Sequence, residues 1–255
     1  MKFFQYDNLE VSKEYLLTTG YYLLWRNEDF EMDNQVIALF DVSMFDLPDI
    51  KTLVLHLEYG VIIESRTTKQ LINELHKSNG FGCIFSKVLA GLFSIKRYVP
   101  FVHAYQTYMP INGGTRQNTD WISPNLIACV WTSAGMLHIL DINGNMASLK
   151  SVRGNLEQRL HDVALLSRAN FMFLECIVNW GHCQLQPPSE LGLLKSFENC
   201  NCEEHLEIES VVKDLDKMVF ILKKAILSNL GIDKIQRIEL FKFYGQNLSR
   251  FKKYY

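Results

Sequence analysis

The chain has 255 residues, of which 48% are hydrophobic and 21% are charged, a composition that suits a globular protein with a sizeable core. It excludes an intrinsically disordered chain, and no run of about 18 uncharged apolar residues predicts a membrane span. The first residues lack the pattern of a signal peptide, so we expect a cytoplasmic protein with no membrane partner. Six irregularly spaced cysteines predict reduced thiols and not a disulfide framework.

The net charge of −2 conceals segments of opposite sign. Residues 1–85 carry 7 basic and 13 acidic side chains, net −6, and residues 171–216 carry 2 and 9, net −7. Residues 86–170 carry 8 and 4, net +4, and residues 217–255 carry 9 and 2, net +7. Two basic segments in an acidic chain favour contact with a polyanion, although charged faces that solvate the surface or pair with one another would give the same totals.

Three short segments rich in branched apolar residues predict β-strands early in the chain, at 35–42, 50–58 and 60–65. The segment 67–80, "TTKQLINELHKSNG", follows them. Its threonine cap candidate, its leucines and isoleucine at helical spacing and its final glycine predict a helix.

Further strands are predicted in the middle of the chain, at 98–105, 125–132 and 136–142. Asn143 and Gly144 favour a tight type I′ turn, because both central positions of such a turn need positive φ. This turn predicts a hairpin of 136–142 with 145–149. Helical periodicity then returns at 154–169.

The sequence pattern changes after about residue 185, where the segment "QPPSE" predicts a break in regular structure. A long amphipathic helix is predicted beyond it, at 203–231. We therefore expect an α+β domain at 1–180, with a mainly antiparallel β-sheet core and packed helices, and a helical C-terminal extension at 185–255. Apolar residues near one face of the long helix would either form a multimer or pack on their own domain: Leu206, Val211, Leu215, Val219, Leu222 and Ile226.

The stretch "TYMPINGGTRQNTDWIS" at 107–123 connects two predicted strands and carries the candidate site. Gly113 and Gly114 permit positive φ or a close approach of the backbone to another surface, Arg116 supplies a permanent cation, and Trp121 is expected to anchor the loop in the core. A glycine turn followed by arginine suits the narrow minor groove of A·T-rich DNA. A surface loop with a core tryptophan is the structural alternative.

If the sheet folds compactly, basic residues on both sides of this loop flank it and contact DNA phosphates, which position a protein on a duplex without reading its sequence; scattered surface cations, which are common in proteins, are the alternative. These basic residues are Lys96, Arg97, Lys150, Arg153, Arg159 and Arg168.

A zinc site is conceivable from Cys183, Cys200, Cys202 and His205, which lie within 23 positions. Structural zinc sites, however, usually use C-x₂₋₄-C pairs, so a C-x-C pair with one distant cysteine matches poorly. We therefore expect ordinary thiols, with no metal or cofactor. The absence of H-E-x-x-H, G-x-S-x-G and phosphate-loop patterns favours a protein that is not an enzyme.

Pro110, Thr115-Arg116 and Trp121-Ile122-Ser123, with strand-like sequence on both sides, resemble the central signature of the ComK family of competence transcription factors. Upstream, "TTKQLINELHKSNGFGC" and "YVPFVHAY" occupy the places of that family's helix and of the strand before its motif. Downstream, "NGNMASLKSVRGNLEQRLHDVALLSR" looks like its Asn-Gly hairpin and amphipathic helix. The resemblance covers about residues 50–172, matches the first 45 residues only loosely, and has no counterpart for the extension after about residue 173.

The resemblance implies a non-catalytic transcriptional activator of genes for DNA uptake, which acts as a multimer on paired A·T-rich boxes through the minor groove. The implied partners are double-stranded DNA, further copies of the chain, RNA polymerase and an adaptor that delivers the protein to a Clp protease. The residues expected to bind DNA are Gly113, Gly114, Thr115, Arg116, Lys96, Arg97, Lys150 and Arg153. The alternatives are a regulatory module that binds a protein through its C-terminal helices and, third, a nuclease or nucleotide-modifying enzyme.

Overall fold

The computed structural model describes most of the chain: residue 6, residues 9–45, 47–78, 82–113 and 118–212, and, further on, residues 220, 223, 227 and 238–243. The strands are β1 Glu10–Val11, β2 Leu24–Arg26, β3 Val36–Asp41, β4 Thr52–His56, β5 Gly60–Glu64, β6 Phe101–His103, β7 Gln106–Pro110, β8 Trp121–Ile122, β9 Ile127–Ser133, β10 Met136–Asp141 and β11 Met146–Lys150. The α-helices with full bounds are α1 Lys13–Leu16, α2 Thr68–Ser78, α3 Gly82–Leu92, α4 Leu156–Trp180 and α5 Glu203–Val212. Short 3₁₀ helices lie at Tyr21–Leu23, Ser43–Phe45, Pro124–Leu126 and Gly192–Phe197.

The described strands form two sheets. One has seven strands in the order β2-β5-β4-β3-β8-β7-β6, and the other has four in the order β1-β11-β10-β9. Neighbours are antiparallel except for β1 with β11 and β2 with β5. The predicted α+β class with a mainly antiparallel core is therefore confirmed.

Both faces of the seven-stranded sheet are covered at its centre. Alternate residues of β3, β4 and β5, among them Leu39, Val54 and Ile62, pack with Leu71 and Leu75 of α2. The residues between them join the four-stranded sheet and α4 in a larger core: Phe40, Leu53, Val61, Leu137, Leu149 and Leu160. Because neither face meets water, these strands are almost continuously apolar.

The local signals for β3, β4, β5 and α2 are confirmed to within two or three residues. The hairpin of β10 with β11 is also confirmed, but its type I′ turn is wrong, because Gly144 has positive φ (88°) and Asn143 does not. Instead the carboxylate of Asp141 accepts hydrogen bonds from the backbone N–H groups of Asn143 (2.8 Å) and Asn145 (2.9 Å). A side chain, and not two left-handed residues, closes this turn.

The predicted strand 98–105 is confirmed only at Phe101–His103 (β6), because the chain turns sharply at Ala104 (φ 51°) between β6 and β7. The turn is held from α4: the N–H of Ala104 donates to Asn170 Oδ1 (2.5 Å), and Ser167 Oγ donates to the Ala104 carbonyl (2.7 Å). The candidate loop therefore connects β7 with β8, and not 98–105 with 125–132. Helix α3 was not predicted, and α4 extends to Trp180, well beyond residue 169.

Buried residues between 191 and 208 pack against the preceding chain. Leu191 and Leu194 belong to the main core, and Ile208 of α5 is fully buried against the Leu165–Phe173 part of α4. Helix α5 is the start of the predicted helix 203–231, whose positions Leu215, Val219, Leu222 and Ile226 lie outside the described residues. Leu206 is 57% exposed, so the apolar face predicted through it is not the face that contacts α4. Within the described residues, no helix combines the length and apolar character that a membrane crossing requires.

Candidate functional site

Two hydrogen bonds join the ends of the connection between β7 and β8 and form a closed stem. The N–H of Ile111 donates to the Asp120 carbonyl (2.8 Å), and the N–H of Asn112 donates to Thr119 Oγ1 (3.0 Å). Gly114, Thr115 and Arg116, three of the predicted DNA-binding residues, lie outside the described residues. The described stem therefore closes at the end of the β7–β8 pair.

Asp120 fixes this stem to the rest of the sheet. Its Oδ1 accepts hydrogen bonds from Lys13 Nζ (2.6 Å) and from the backbone N–H of Asp41 (2.7 Å). Burial raises the pKa of Asp120, and the charge of Lys13 opposes that rise. A half-buried cation thus stabilises the carboxylate that ties the loop to β3.

Trp121, Ile122 and Ser123 are buried and have structural roles. Trp121 is 9% exposed, as predicted for a core anchor, and Ile122 pairs with both β3 and β7. Ser123 Oγ donates to the Thr107 carbonyl (3.0 Å). This part of the signature holds the loop in place.

Gly113 is exposed at the start of the loop. Its φ is not in the left-handed region, and a Cβ at this position would meet no atom within 4 Å. The fold itself therefore does not require glycine here. A ligand that approaches the backbone closely would supply a reason for it.

Four exposed cations lie around a groove next to this stem. The groove has a volume of about 590 Å³, and its cations are Lys69 of α2, Lys87 of α3, Lys96 and Arg97. Gly113, Trp121, Tyr98, Phe101 and His76 also line it. The predicted residues Lys96, Arg97 and Gly113 are thus brought together, while Lys69 and Lys87 were missed. The position of Lys87 beside the groove could not be predicted, because helix α3, which carries it, was not predicted.

The groove has a positive electrostatic character. Its lining, as far as the structure describes it, includes no carboxylate. Burial, and then the charge of Lys87, lower the pKa of His76 to about 4, so this imidazole is neutral at physiological pH. Clefts lined by one sign of charge concentrate ions of the opposite sign, so an anionic ligand is favoured here.

Arg159, predicted as a phosphate contact, is buried. Its guanidinium donates to the carbonyls of Pro110, Ile111 (2.9 Å) and Arg153 (3.4 Å), and it lies 4.4 Å from the centre of the Tyr98 ring. The prediction for Arg159 is therefore wrong, because the side chain is buried and both of its terminal nitrogens donate to backbone carbonyls. It braces the stem against α4.

The remaining predicted cations lie apart from the groove. Lys150 ends β11 and Arg153 precedes α4; both are exposed, and among the described lining residues neither is present. The bond from Arg159 to the Arg153 carbonyl places the Arg153 backbone beside the stem. Arg168 donates to the Glu198 carbonyl (3.4 Å), further along α4.

A second chemical site lies where α4 meets the start of α5. The ligand atoms of His161, Cys200, Cys202 and His205 all lie within 4.8 Å of one another. Cys183, the fourth member of the predicted set, is exposed and is not part of this cluster. Burial, and then the charges of His161 and Arg168, lower the pKa of His205 to about 4, which leaves its nitrogen able to bind a cation.

Ser133, His138 and Glu10 form a chain of hydrogen bonds on the four-stranded sheet. Ser133 Oγ lies 2.8 Å from His138 Nε2, and His138 Nδ1 bonds to Glu10 Oε1. This order of atoms is that of a hydrolase triad, but Ser133 and Glu10 are exposed and Trp131 stacks on the imidazole. The arrangement links β1, the end of β9 and β10 through exposed and half-buried side chains of the sheet.

The chain matches no protein-family model, no curated protein and no solved structure.

Proposed function

We propose that this protein binds double-stranded DNA through the β7–β8 loop and the adjacent basic groove, and activates transcription of genes for DNA uptake. The observation that carries the proposal is the meeting of four exposed cations, Lys69, Lys87, Lys96 and Arg97, with the stem of the loop that holds the ComK-like signature. The resemblance supplies the biological role, and the groove supplies the electrostatic complement of a polyanion.

In this proposal the loop and the groove have different tasks. Arg116 enters the minor groove, where narrow A·T-rich tracts attract cations. The lysines and Arg97 contact phosphates on either side of the minor groove, and so fix the position of the loop along the duplex. Binding by further copies of the chain to paired boxes completes the proposal.

The alternative function, a regulatory module that binds a protein, has an observation of its own in its favour. Apolar side chains of the C-terminal segment are exposed, including Leu206 (57%), Phe220 (51%) and Phe243 (64%). Exposed large apolar residues in one region are typical of a contact surface. They would also serve the multimer that the DNA-binding proposal requires.

The test is a titration of the full chain with matched A·T-rich and G·C-rich duplexes at one salt concentration, followed by fluorescence anisotropy. The wild type should prefer the A·T-rich duplex. Arg116→Ala should lose about 1–3 kcal/mol on the A·T-rich duplex and little on the other. Lys195→Ala, a control that removes an exposed cation from the acidic segment, should behave like the wild type. Equal affinity of the wild type for both duplexes would contradict the proposal.

A further inference from the structure

His161, Cys200, Cys202 and His205 come from three parts of the chain and converge on one point. His161 lies in the second turn of α4, Cys200 and Cys202 precede α5, and His205 lies in the first turn of α5. His161 Nε2 is 3.2 Å from Cys202 Sγ and 3.6 Å from Cys200 Sγ. Cys202 Sγ is 3.2 Å from His205 Nδ1. Two sulfurs and two imidazole nitrogens thus face a common centre.

These separations are close to those of a tetrahedral zinc site. Bonds of about 2.3 Å to sulfur and about 2.0–2.1 Å to nitrogen place ligand atoms about 3.3–3.8 Å apart. Of the three sulfur–nitrogen distances, 3.6 Å lies within this range and the two of 3.2 Å lie about 0.1 Å below it. The longest separation, at most 4.8 Å, has to shorten by about 1 Å when a metal binds.

The surroundings of the cluster favour a closed site. His205 is 2% exposed, and the other three side chains are half-buried. The rings of His161 and His205 meet at 75° with their centres 5.0 Å apart, so they do not stack, and Phe197 contacts the His161 ring edge-on. The two cysteines are free thiols, not a disulfide.

The donor set selects the metal. Two thiolates and two imidazoles in a tetrahedral arrangement are typical of Zn²⁺, whereas Mg²⁺ and Ca²⁺ require oxygen ligands. Four protein ligands leave no open position for water or substrate, so the site is structural and not catalytic.

We propose that His161, Cys200, Cys202 and His205 bind one zinc ion that fastens the start of the C-terminal helical segment to α4. Ile208 already packs against α4 one turn further along α5, and Leu191 and Leu194 are buried before the cysteines. The ion closes this arrangement between those two contacts.

The zinc site adjoins the proposed DNA-binding groove. A cavity of about 400 Å³ is lined by His161, Asp162 and Glu204 together with Lys96 and Arg97. Zinc binding would therefore also fix the α4 and α5 residues that line this cavity beside Lys96 and Arg97. The zinc proposal does not depend on DNA binding, because it rests on the four ligands alone.

The full chain is purified with a reductant and dialysed, and its metal content is then measured by inductively coupled plasma mass spectrometry. We expect one equivalent of zinc in the wild type. Cobalt added to metal-free protein should give the intense visible absorption of a tetrahedral cobalt–thiolate complex, and zinc should displace it. Cys200→Ser and His205→Asn should each lower bound zinc at least tenfold, whereas Cys183→Ser, the matched control, should keep one equivalent.

If a variant fails to fold, the zinc content and cobalt spectrum of the wild type still test the proposal. Removal of zinc with a chelator should lower the melting temperature of the wild type, and added zinc should restore it. Wild-type protein that takes up neither zinc nor cobalt, or a Cys200→Ser variant that binds zinc as the wild type does, would overturn the proposal.

Discussion

Gly192 occupies a position where a side chain would collide with the backbone of another segment. Its φ is +52°, and a Cβ would lie 2.6 Å from the Pro124 carbonyl oxygen and 2.7 Å from the carbonyl group of Asn125. Backbone atoms cannot rotate away as a flexible side chain can. This glycine lets the 3₁₀ helix Gly192–Phe197 pack closely against the Pro124–Asn125 backbone, and that helix is followed by the proposed zinc ligands.

Gly192→Ala is predicted to destabilise the protein by about 1–3 kcal/mol, since the left-handed φ and the collision both oppose alanine. Urea unfolding measures the difference. Gly91→Ala is the control, because an added Cβ at this exposed position of α3 meets nothing within 4 Å and alanine favours a helix. Equal stability of Gly192→Ala and the wild type would show that the segment is seated differently.

Arg159 is a buried cation whose partners are backbone carbonyls of the loop stem. Arg159→Ala leaves the carbonyls of Pro110 and Ile111 without their donor, so we expect a loss of about 2–4 kcal/mol in the free energy of unfolding. Arg153→Ala, which removes an exposed arginine nearby, should change stability by less than about 0.5 kcal/mol. Similar losses in the two variants would contradict the bracing role of Arg159.

Glu64 gives a prediction about pH. Burial alone would raise its pKa, but hydrogen bonds and the charge of Arg66 outweigh burial and lower the pKa below the usual 4.5. A lowered folded-state pKa adds stability that is present above about pH 4.5 and is lost as the pH falls through the folded-state value. Glu64→Gln should therefore be less stable than the wild type at pH 7, and the gap should narrow towards pH 3. Urea unfolding of both proteins between pH 3 and pH 7 tests this prediction. A difference in the free energy of unfolding that does not change with pH would contradict it.

At the scale of elements, local sequence signals succeed where neighbours along the chain determine the structure. Strand β3 is a continuous apolar run, and the β10–β11 hairpin lies where the Asn-Gly pair predicts a turn, although the Asp141 carboxylate closes that turn. The turn at Ala104 could not be predicted, because its partner Asn170 lies 66 residues away on α4. The zinc ligand His161 was missed for the same reason, since it lies 39 residues before Cys200 on a helix whose visible signal was its apolar face.

Asn170→Ala is predicted to destabilise the β6–β7 turn, because the N–H of Ala104 loses its acceptor. We expect a cost of about 1 kcal/mol, because the Ala104 N–H is half-buried and loses a hydrogen bond to the buried Asn170. Hydrogen exchange of the β6–β7 amides should accelerate more in this variant than exchange in the β10–β11 hairpin. Uniform acceleration throughout the protein would indicate a general loss of packing instead.

At the scale of the whole molecule, charge is distributed unevenly around the fold. The groove is lined by cations from α2, α3 and the segment between α3 and β6, although the chain as a whole carries a net charge of −2. A polyanion is therefore attracted to one face, while the acidic remainder opposes indiscriminate binding. This separation of charge is what the DNA-binding proposal requires.

The salt dependence of binding to one A·T-rich duplex tests that proposal most directly. Affinity of the wild type should fall steeply as salt rises, with a slope of roughly 0.9 log units per contacted phosphate per tenfold change in salt. Lys87→Ala combined with Arg97→Ala should flatten the slope by about two such contacts, while Lys195→Ala combined with Lys51→Ala, two cations outside the described lining of the groove, should leave it unchanged. A wild-type affinity that does not change between low and moderate salt, or a slope that the groove variants leave intact, would contradict the account.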